Sequence, residues 1–209
     1  YILYLIKIMC NFCENLKNID LSNLIFLDCS KCPNIKSLPI GMDKLKFLVI
    51  YNTQITEIPE CDSLEGLYMM NCPIKTIPVF PKLRKLNASN SQLISLPDEL
   101  YRLESLIIDN TNVNRLPDTF ISAVTISAKR CQRLSIISDK LINLESLSIN
   151  NTIVNFIPNL PNLTYINISN TPITQLPLDN LFNLRKVYAK GCMLDDPFSI
   201  IEKGIDLMN

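Results

Sequence analysis

Residues 163–177 read LTYINISNTPITQLP, and residues 45–59 read LKFLVIYNTQITEIP. Aligned, the two agree in kind at most places, among them Leu163 with Leu45, Ile166 with Leu48, Ile168 with Ile50, Thr171 with Thr53, Ile173 with Ile55 and Pro177 with Pro59. Further clear copies of this pattern begin at Leu64, Leu83, Leu103 and Leu144, and looser ones at Leu5, Leu24, Ala123 and Leu184. Successive starts lie 19 to 21 residues apart, so about ten units fill residues 1–197 in one register. Self-similarity at a fixed short period is the mark of a solenoid, in which each unit contacts chiefly its neighbours.

The spacing has a physical reading. The opening six residues of a unit suit a strand whose alternate side chains, such as Leu48 and Ile50, point inward while those between them face solvent. One unit cannot bury that apolar edge alone, so units stack and their strands join in one parallel sheet. Ten strands ~4.8 Å apart give a sheet on the order of 48 Å along the array. The turn after the strand needs an inward polar group for buried backbone, which Thr53, Ser91, Thr111, Thr152 and Thr171 can supply with a hydroxyl. Five units carry Cys there instead. The return path is short and rich in proline (Pro59, Pro78, Pro97, Pro117, Pro158, Pro177), which leaves room for a 3₁₀ turn or extended chain but not a full helix. PDELYRLESL and SDKLINLESL are the return segments expected to carry a helical turn. Residues 198–209 are expected to cap the open end, through a short helix from Pro197 that turns Phe198, Ile200, Ile201 and Ile205 onto the core.

Over residues 3 to 197 the chain resembles the leucine-rich repeat family, whose segment is LxxLxLxxNxL or the longer LxxLxLxxCxxL. The short form is seen in Leu103–Val113 and Leu163–Ile173, the long form in Leu24–Ile35 and Ala123–Leu134. The resemblance implies a right-handed solenoid of the α/β repeat class, with a parallel sheet on its concave face and short convex turns. The ~20-residue units with LP or IP and a second proline (IPNLPNLTYI, IPVFPKLRKL) are similar to those of bacterial effectors. They are more similar still to those of leucine-rich repeat proteins of giant, mimivirus-like DNA viruses of amoebae. Abundant Ile, Asn and Lys suit an AT-rich genome of that kind.

Composition narrows the function. With no histidine there is no His-based general base, no Ser-His-Asp or Cys-His pair and no imidazole ligand. Four scattered glycines exclude the loops that cradle nucleotide phosphates. Twenty basic and twenty acidic residues cancel, which gives no bulk electrostatic reason for nucleic acid or an anionic membrane as partner. The most apolar stretch, Tyr1 to Cys10, is too short for a membrane span, and no signal-peptide features accompany it. The chain opens at Tyr1 inside a strand-like run, which places the native N-terminus upstream as an expectation.

The cysteines carry a competing signal. Cys10-x-x-Cys13 and Cys29-x-x-Cys32, fifteen residues apart, have the spacing of a four-thiolate zinc site. The repeat register accounts for them differently. Cys10 and Cys29 take the sixth place of their units, and Cys13 and Cys32 take the turn place, as do Cys72, Cys131 and Cys192. Only Cys61 falls on the return path. Buried structural thiols are therefore the preferred reading, with no cofactor, and a reducing, cytoplasmic compartment follows as an expectation. The sequons at Asn87, Asn150, Asn162 and Asn167 are given little weight in so Asn-rich a chain.

The third, fifth and seventh places of each unit build the outward sheet surface. That surface holds Phe26, Phe47, Val49, Tyr51, Tyr68 and Met70 in the N-terminal half, then a polar middle broken by Ile107. Toward the C-terminus it holds Lys129, Tyr165, Lys186, Tyr188 and Lys190. Clustered aromatic and Met side chains on a sheet face suit a partner site, while strand preference for aromatics or cover by an upstream segment explains them equally. Lys129, Arg130 and Arg133 form a basic trio that reads chiefly as a solvated edge, with an acidic protein surface or RNA as the alternative. The leading expectation is a monomeric, non-catalytic module that recognises a host or viral protein and takes no small-molecule substrate. The competing readings are a structural component of a viral particle, or the targeting part of a larger effector enzyme of the ubiquitin-ligase kind. The Cys-x-Asp motif of those effectors is absent, Cys61 and Asp62 being adjacent.

Overall fold

The computed structural model describes residues 21–208 and, of the segment before them, the backbone of 5–7. Among the described residues eleven strands form one sheet in strict chain order. They are β1 (Leu5–Lys7), β2 (Phe26–Asp28), β3 (Phe47–Val49), β4 (Gly66–Tyr68), β5 (Lys85–Asn87) and β6 (Ser105–Ile107). β7 (Thr125–Ser127), β8 (Ser146–Ser148), β9 (Tyr165–Asn167), β10 (Lys186–Tyr188) and β11 (Asp206–Met208) follow. Every pair is parallel, and the register matches like places of successive units: Leu27 with Leu48, Leu48 with Leu67, Leu67 with Leu86. This is the solenoid that the repeat predicts. The strands are only three residues long, half the expected length, because the backbone bends into a turn once the sixth side chain has gone inward.

Each unit is built from inward rows. The first, fourth and sixth places are buried throughout, as in Leu45, Leu48 and Ile50, or in Leu163, Ile166 and Ile168. A further row lies three residues before each start: Leu21, Met42, Cys61, Phe80, Leu100, Phe120, Leu141, Leu160 and Leu181, all buried. The carbonyl of each accepts a hydrogen bond from the N–H of the unit's first residue, for example Leu64 N–H to Cys61 O at 3.0 Å. Cys61 therefore belongs to an inward row shared with Leu, Met and Phe, which corrects its placing on the return path.

The convex side has less helix than expected. The segments PDELYRLESL and SDKLINLESL hold turns and no helical turn. Among the described residues one 3₁₀ turn forms there, at Leu178–Asn180. In both segments a proline or serine follows the apolar anchor at once (Leu96-Pro97, Ile137-Ser138), and the next buried apolar residue, Leu100 or Leu141, is pulled inward within four residues. That distance leaves no space to complete a helix.

Beyond β10, helix α1 (Pro197–Glu202) starts where Asp196 Oδ1 accepts the Ser199 N–H at 3.2 Å, with Pro197 in the first turn. Ile200 and Ile205 are buried as anticipated, but Phe198 and Ile201 stay exposed at 72% and 56%. A six-residue helix presents one narrow face to the core, and Ile200 occupies it. The chain then returns as β11 along the free edge of β10. Among the described residues no helix is long and apolar enough to cross a membrane.

Candidate functional site

The turn after each strand fixes where the outward side chains point. The eighth residue of every described unit sits in the left-handed region: Lys31, Asn52, Asn71, Asn90, Asn110, Arg130, Asn151, Asn170 and Gly191, with φ between 56° and 74°. Asn and Gly tolerate this conformation best, and Asn fills six of these nine places. The side chains add rungs between units, Asn71 Nδ2 donating to Asn52 Oδ1 at 2.6 Å, Asn110 to Asn90 at 3.0 Å and Asn170 to Asn151 at 3.1 Å. The sequence reading missed this row and assigned the abundant Asn to genome composition. Its recurrence one place before the Thr or Cys was the available signal.

The ninth place seals the turn from inside. Thr53, Thr111, Thr152 and Thr171 donate to the carbonyl three residues back, at 2.6 to 2.8 Å. Where the next unit has Cys, its thiol reaches the same carbonyl: Cys72 to Ile50 O at 2.9 Å, Cys131 to Ile108 O at 3.0 Å, Cys192 to Ile168 O at 3.0 Å. One buried carbonyl thus takes a hydroxyl from its own unit and a thiol from the next, using both lone pairs. Burial pushes the Cys131 thiol up, against the lowering effect of Thr111. Cys29 and Cys32 are buried in the same core. Cys10 and Cys13 lie outside the described residues, and among the described residues no group of His, Cys, Asp or Glu is placed to hold a metal ion.

Anchored this way, the outward residues form three rows. One row runs Phe26, Phe47, Gly66, Lys85, Ser105, Thr125, Ser146, Tyr165, Lys186, Asp206. The second begins Asp28, Val49, Tyr68, Asn87 and Ile107 and ends at Tyr188 and Met208. The third, one place beyond the strands, contains Tyr51, Met70, Lys129 and Lys190. Phe26, Phe47, Val49, Tyr51, Tyr68 and Met70 are half-buried, on three consecutive units. Ile107 stands apart from them, with Asn87 before it and Ser127 after it in its row.

Lys129 is held by Asp109, whose Oδ1 accepts its N–H at 2.9 Å and whose Oδ2 lies 3.9 Å from its Nζ. Arg130 takes the left-handed turn place, so the basic trio does not share one face. Further along, the Tyr165 and Tyr188 rings lie 5.6 Å apart, and Lys186 Nζ sits 5.1 Å from the Tyr188 centroid. Hydrogen bonding and then charge from Tyr188 hold the Lys186 ammonium above the usual lysine range, and Asp206 adds to this.

Gly66 was not singled out in the sequence, yet it shapes the aromatic end of the face. A Cβ there would meet Phe47 Cδ1 at 2.7 Å and Cε1 at 3.1 Å, so the Phe47 ring occupies the room that a side chain would need. Beside it runs an edge of alternating charges, Lys46 with Glu65 at 2.9 Å and Arg84 with Glu104 at 2.6 Å. Phe47, Glu65, Arg84, Lys85 and Glu104 line a cleft of about 210 Å³.

Residues 162–184 match the model of the Leucine Rich Repeat family. The Protein SUPPRESSOR OF npr1-1, CONSTITUTIVE 1 of Arabidopsis thaliana is 27% identical over 181 residues, 84% of this chain and 10% of the relative. The chain spans about a tenth of the length of the curated relatives it matches. Among solved structures, the functional domain of InlJ from Listeria monocytogenes, which includes a cysteine ladder, is similar with a TM-score of 0.68. It is 19% identical, with 88% of this chain and 48% of that chain covered. The leucine-rich effector protein YopM of Yersinia pestis follows at TM-score 0.65 and 23% identity, covering 82% of this chain and 56% of that one. A chain of the Drosophila Toll–Spatzle complex has TM-score 0.64 and 17% identity over 87% of this chain and 29% of that one. Residues 162–184 thus match the family's own repeat, and the whole described array has the leucine-rich repeat fold.

Proposed function

We propose that the chain is a non-catalytic module that holds a partner protein on its concave sheet face. The observation that carries this reading is the cluster of half-buried Phe26, Phe47, Val49, Tyr51, Tyr68 and Met70 on adjacent units. Every one of these side chains occupies an outward place, where the core gains nothing from an aromatic ring. Interface cores are enriched in aromatic residues and Met. The face is also free to vary, because the fold is fixed by the inward rows and by the Asn and Thr/Cys turns. A chain of similar fold occurs in a complex with a protein ligand, Spatzle, which agrees with this reading. Work in a reducing compartment, host or viral, is part of the same proposal, and the use of thiols as hydrogen-bond donors at Cys72 and Cys131 favours it.

The test is capture with the immobilised chain, wild type against Tyr51→Ala with Tyr68→Ala. Truncating two aromatic anchors should weaken a captured protein at least about tenfold, since hot-spot aromatics are worth roughly 1–2 kcal/mol or more each. The circular dichroism of the variant should match the wild type. Undiminished capture removes this face from consideration.

A further inference from the structure

Resting on the concave-face reading, the structure points to the kind of segment that the face accepts. We propose that the cleft between Phe47 and Lys85 is an anchor site for an extended peptide segment of the partner, one carrying a carboxylate beside an aromatic or large aliphatic side chain. Three observations converge there. First, Phe47, Gly66 and Lys85 are consecutive in one outward row, and Gly66 contributes no side chain between them. The Phe47 ring fills the room over Gly66, and the cleft that this ring walls together with Glu65, Arg84, Lys85 and Glu104 measures about 210 Å³.

Second, its walls differ in kind. Phe47 gives an apolar wall continuous with Val49, Tyr68 and the rest of the aromatic cluster. Opposite stands Lys85, which is exposed and makes no ion pair among the described residues. Third, the other charges of the cleft are already matched. Glu104 Oε1 accepts from Arg84 Nε at 2.9 Å and from Nη2 at 2.6 Å, and Glu65 pairs with Lys46 at 2.9 Å. The unmatched charge of the cleft is therefore positive, and it sits one side chain away from an aromatic wall. A carboxylate on Lys85 with its neighbouring apolar group against Phe47 satisfies both, and an extended chain lying on the sheet presents such neighbours within reach of each other.

Gly66 is then a specificity-determining residue. A methyl at that position must displace the Phe47 ring, a surface group with freedom to move, so Gly66→Ala reshapes the cleft while leaving the inward rows in place. The experiment is selection of a random linear peptide library displayed on phage against the immobilised 209-residue chain. Synthetic peptides from the winners are then titrated against wild type, Gly66→Ala, Lys85→Ala, Lys85→Arg and the Tyr51→Ala/Tyr68→Ala pair. The expected result is enrichment of an Asp or Glu adjacent to an aromatic or large aliphatic residue. Affinity should fall at least about tenfold with Gly66→Ala and with Lys85→Ala, and be retained with Lys85→Arg.

Peptides that bind through Tyr51 and Tyr68 but ignore Gly66→Ala and Lys85→Ala overturn the cleft and leave the concave-face reading standing. Peptides insensitive to all four sites overturn both. Selection of uncharged or basic sequences, no selection at all, or self-association of the chain that Lys85→Ala abolishes, overturns the acidic-segment inference.

Discussion

Arg130→Asn should stabilise the solenoid by about 1 kcal/mol, combining relief of left-handed backbone strain with weak, exposed hydrogen bonds. Arg130 has φ 59° in a row where six of nine residues are Asn. A left-handed conformation costs an ordinary L-residue roughly 1–2 kcal/mol, and Asn recovers part of it. The neighbours on either side, Asn110 and Asn151, already belong to separate pairs, with Asn90 at 3.0 Å and Asn170 at 3.1 Å. An Asn between them would join the pairs into one run of five. Two exposed bonds of this kind add at most about 0.5 kcal/mol each, the low end for a net intramolecular hydrogen bond. Arg130 is exposed and makes no ion pair among the described residues, so little is lost. The assay is equilibrium urea unfolding followed by circular dichroism, with Arg130→Gly beside it. For a chain of this size a gain of about 1 kcal/mol corresponds to roughly 2–4 °C in Tm. Gly supplies left-handed freedom without a side chain, but its looser unfolded chain takes back part of the gain. The order expected is Asn above Gly, and Asn above the wild type. A variant no more stable than Arg refutes the strain argument, and Gly equal to Asn refutes the ladder.

The shared carbonyl of Ile108 predicts a coupled pair. Thr111→Val and Cys131→Ala should each cost about 1 kcal/mol, because the remaining partner keeps the carbonyl satisfied, while the double variant should exceed their sum by at least ~0.5 kcal/mol. A strictly additive urea-unfolding cycle would sink the idea of a jointly held carbonyl. Alkaline stability should depend on Cys61, whose thiol is pushed up to about 11, first by burial and then by Asp43 and Asp62. The unfolded thiol loses its proton near 9.0, and the folded one keeps it to about 11. In that window the unfolded state binds fewer protons, so this contribution to stability is complete below about pH 9 and falls as pH rises toward about 11. Urea midpoints for wild type and Cys61→Ala, measured at unit steps from about pH 8 to about pH 11, should diverge in slope, the wild type falling faster. Parallel slopes would show that Cys61 does not titrate as its burial requires.

The period and the core rows were readable because stacking repeats one geometric demand at every unit, and about ten copies make the demand visible above local variation. The outward rows were readable for the same reason, since strand alternation is a geometric rule. Rows of mixed residue type, and features set by a single unit, were not. Cys61 lies three places before a start, a row occupied by Leu, Met, Cys and Phe, whose members share only their burial. Asp206–Met208 has no strand pattern of its own and became β11 because β10 offered it an edge. Phe198 and Ile201 read as core because they are apolar, but a helix of six residues has one inward face and Ile200 took it. The contact of Phe47 with Gly66 depends on where a ring comes to rest, which no periodicity encodes.

The repeat register also explains why the strongest local motif pointed to chemistry that the fold does not require. Two CxxC pairs arise whenever the sixth and ninth places of adjacent units are both Cys, because those places are three residues apart and the period is near twenty. In other units the same two places hold Ile50 with Thr53, Met69 with Cys72, or Ile149 with Thr152, all buried. An apolar residue serves at the sixth place and a short donor at the ninth, and Cys meets both demands. For Cys29 and Cys32, both buried, the spacing follows from these two independent structural constraints. On the proposed reading, recognition rests instead on outward positions that the inward rows leave free: the ring of Phe47, the missing side chain of Gly66 and the unmatched charge of Lys85.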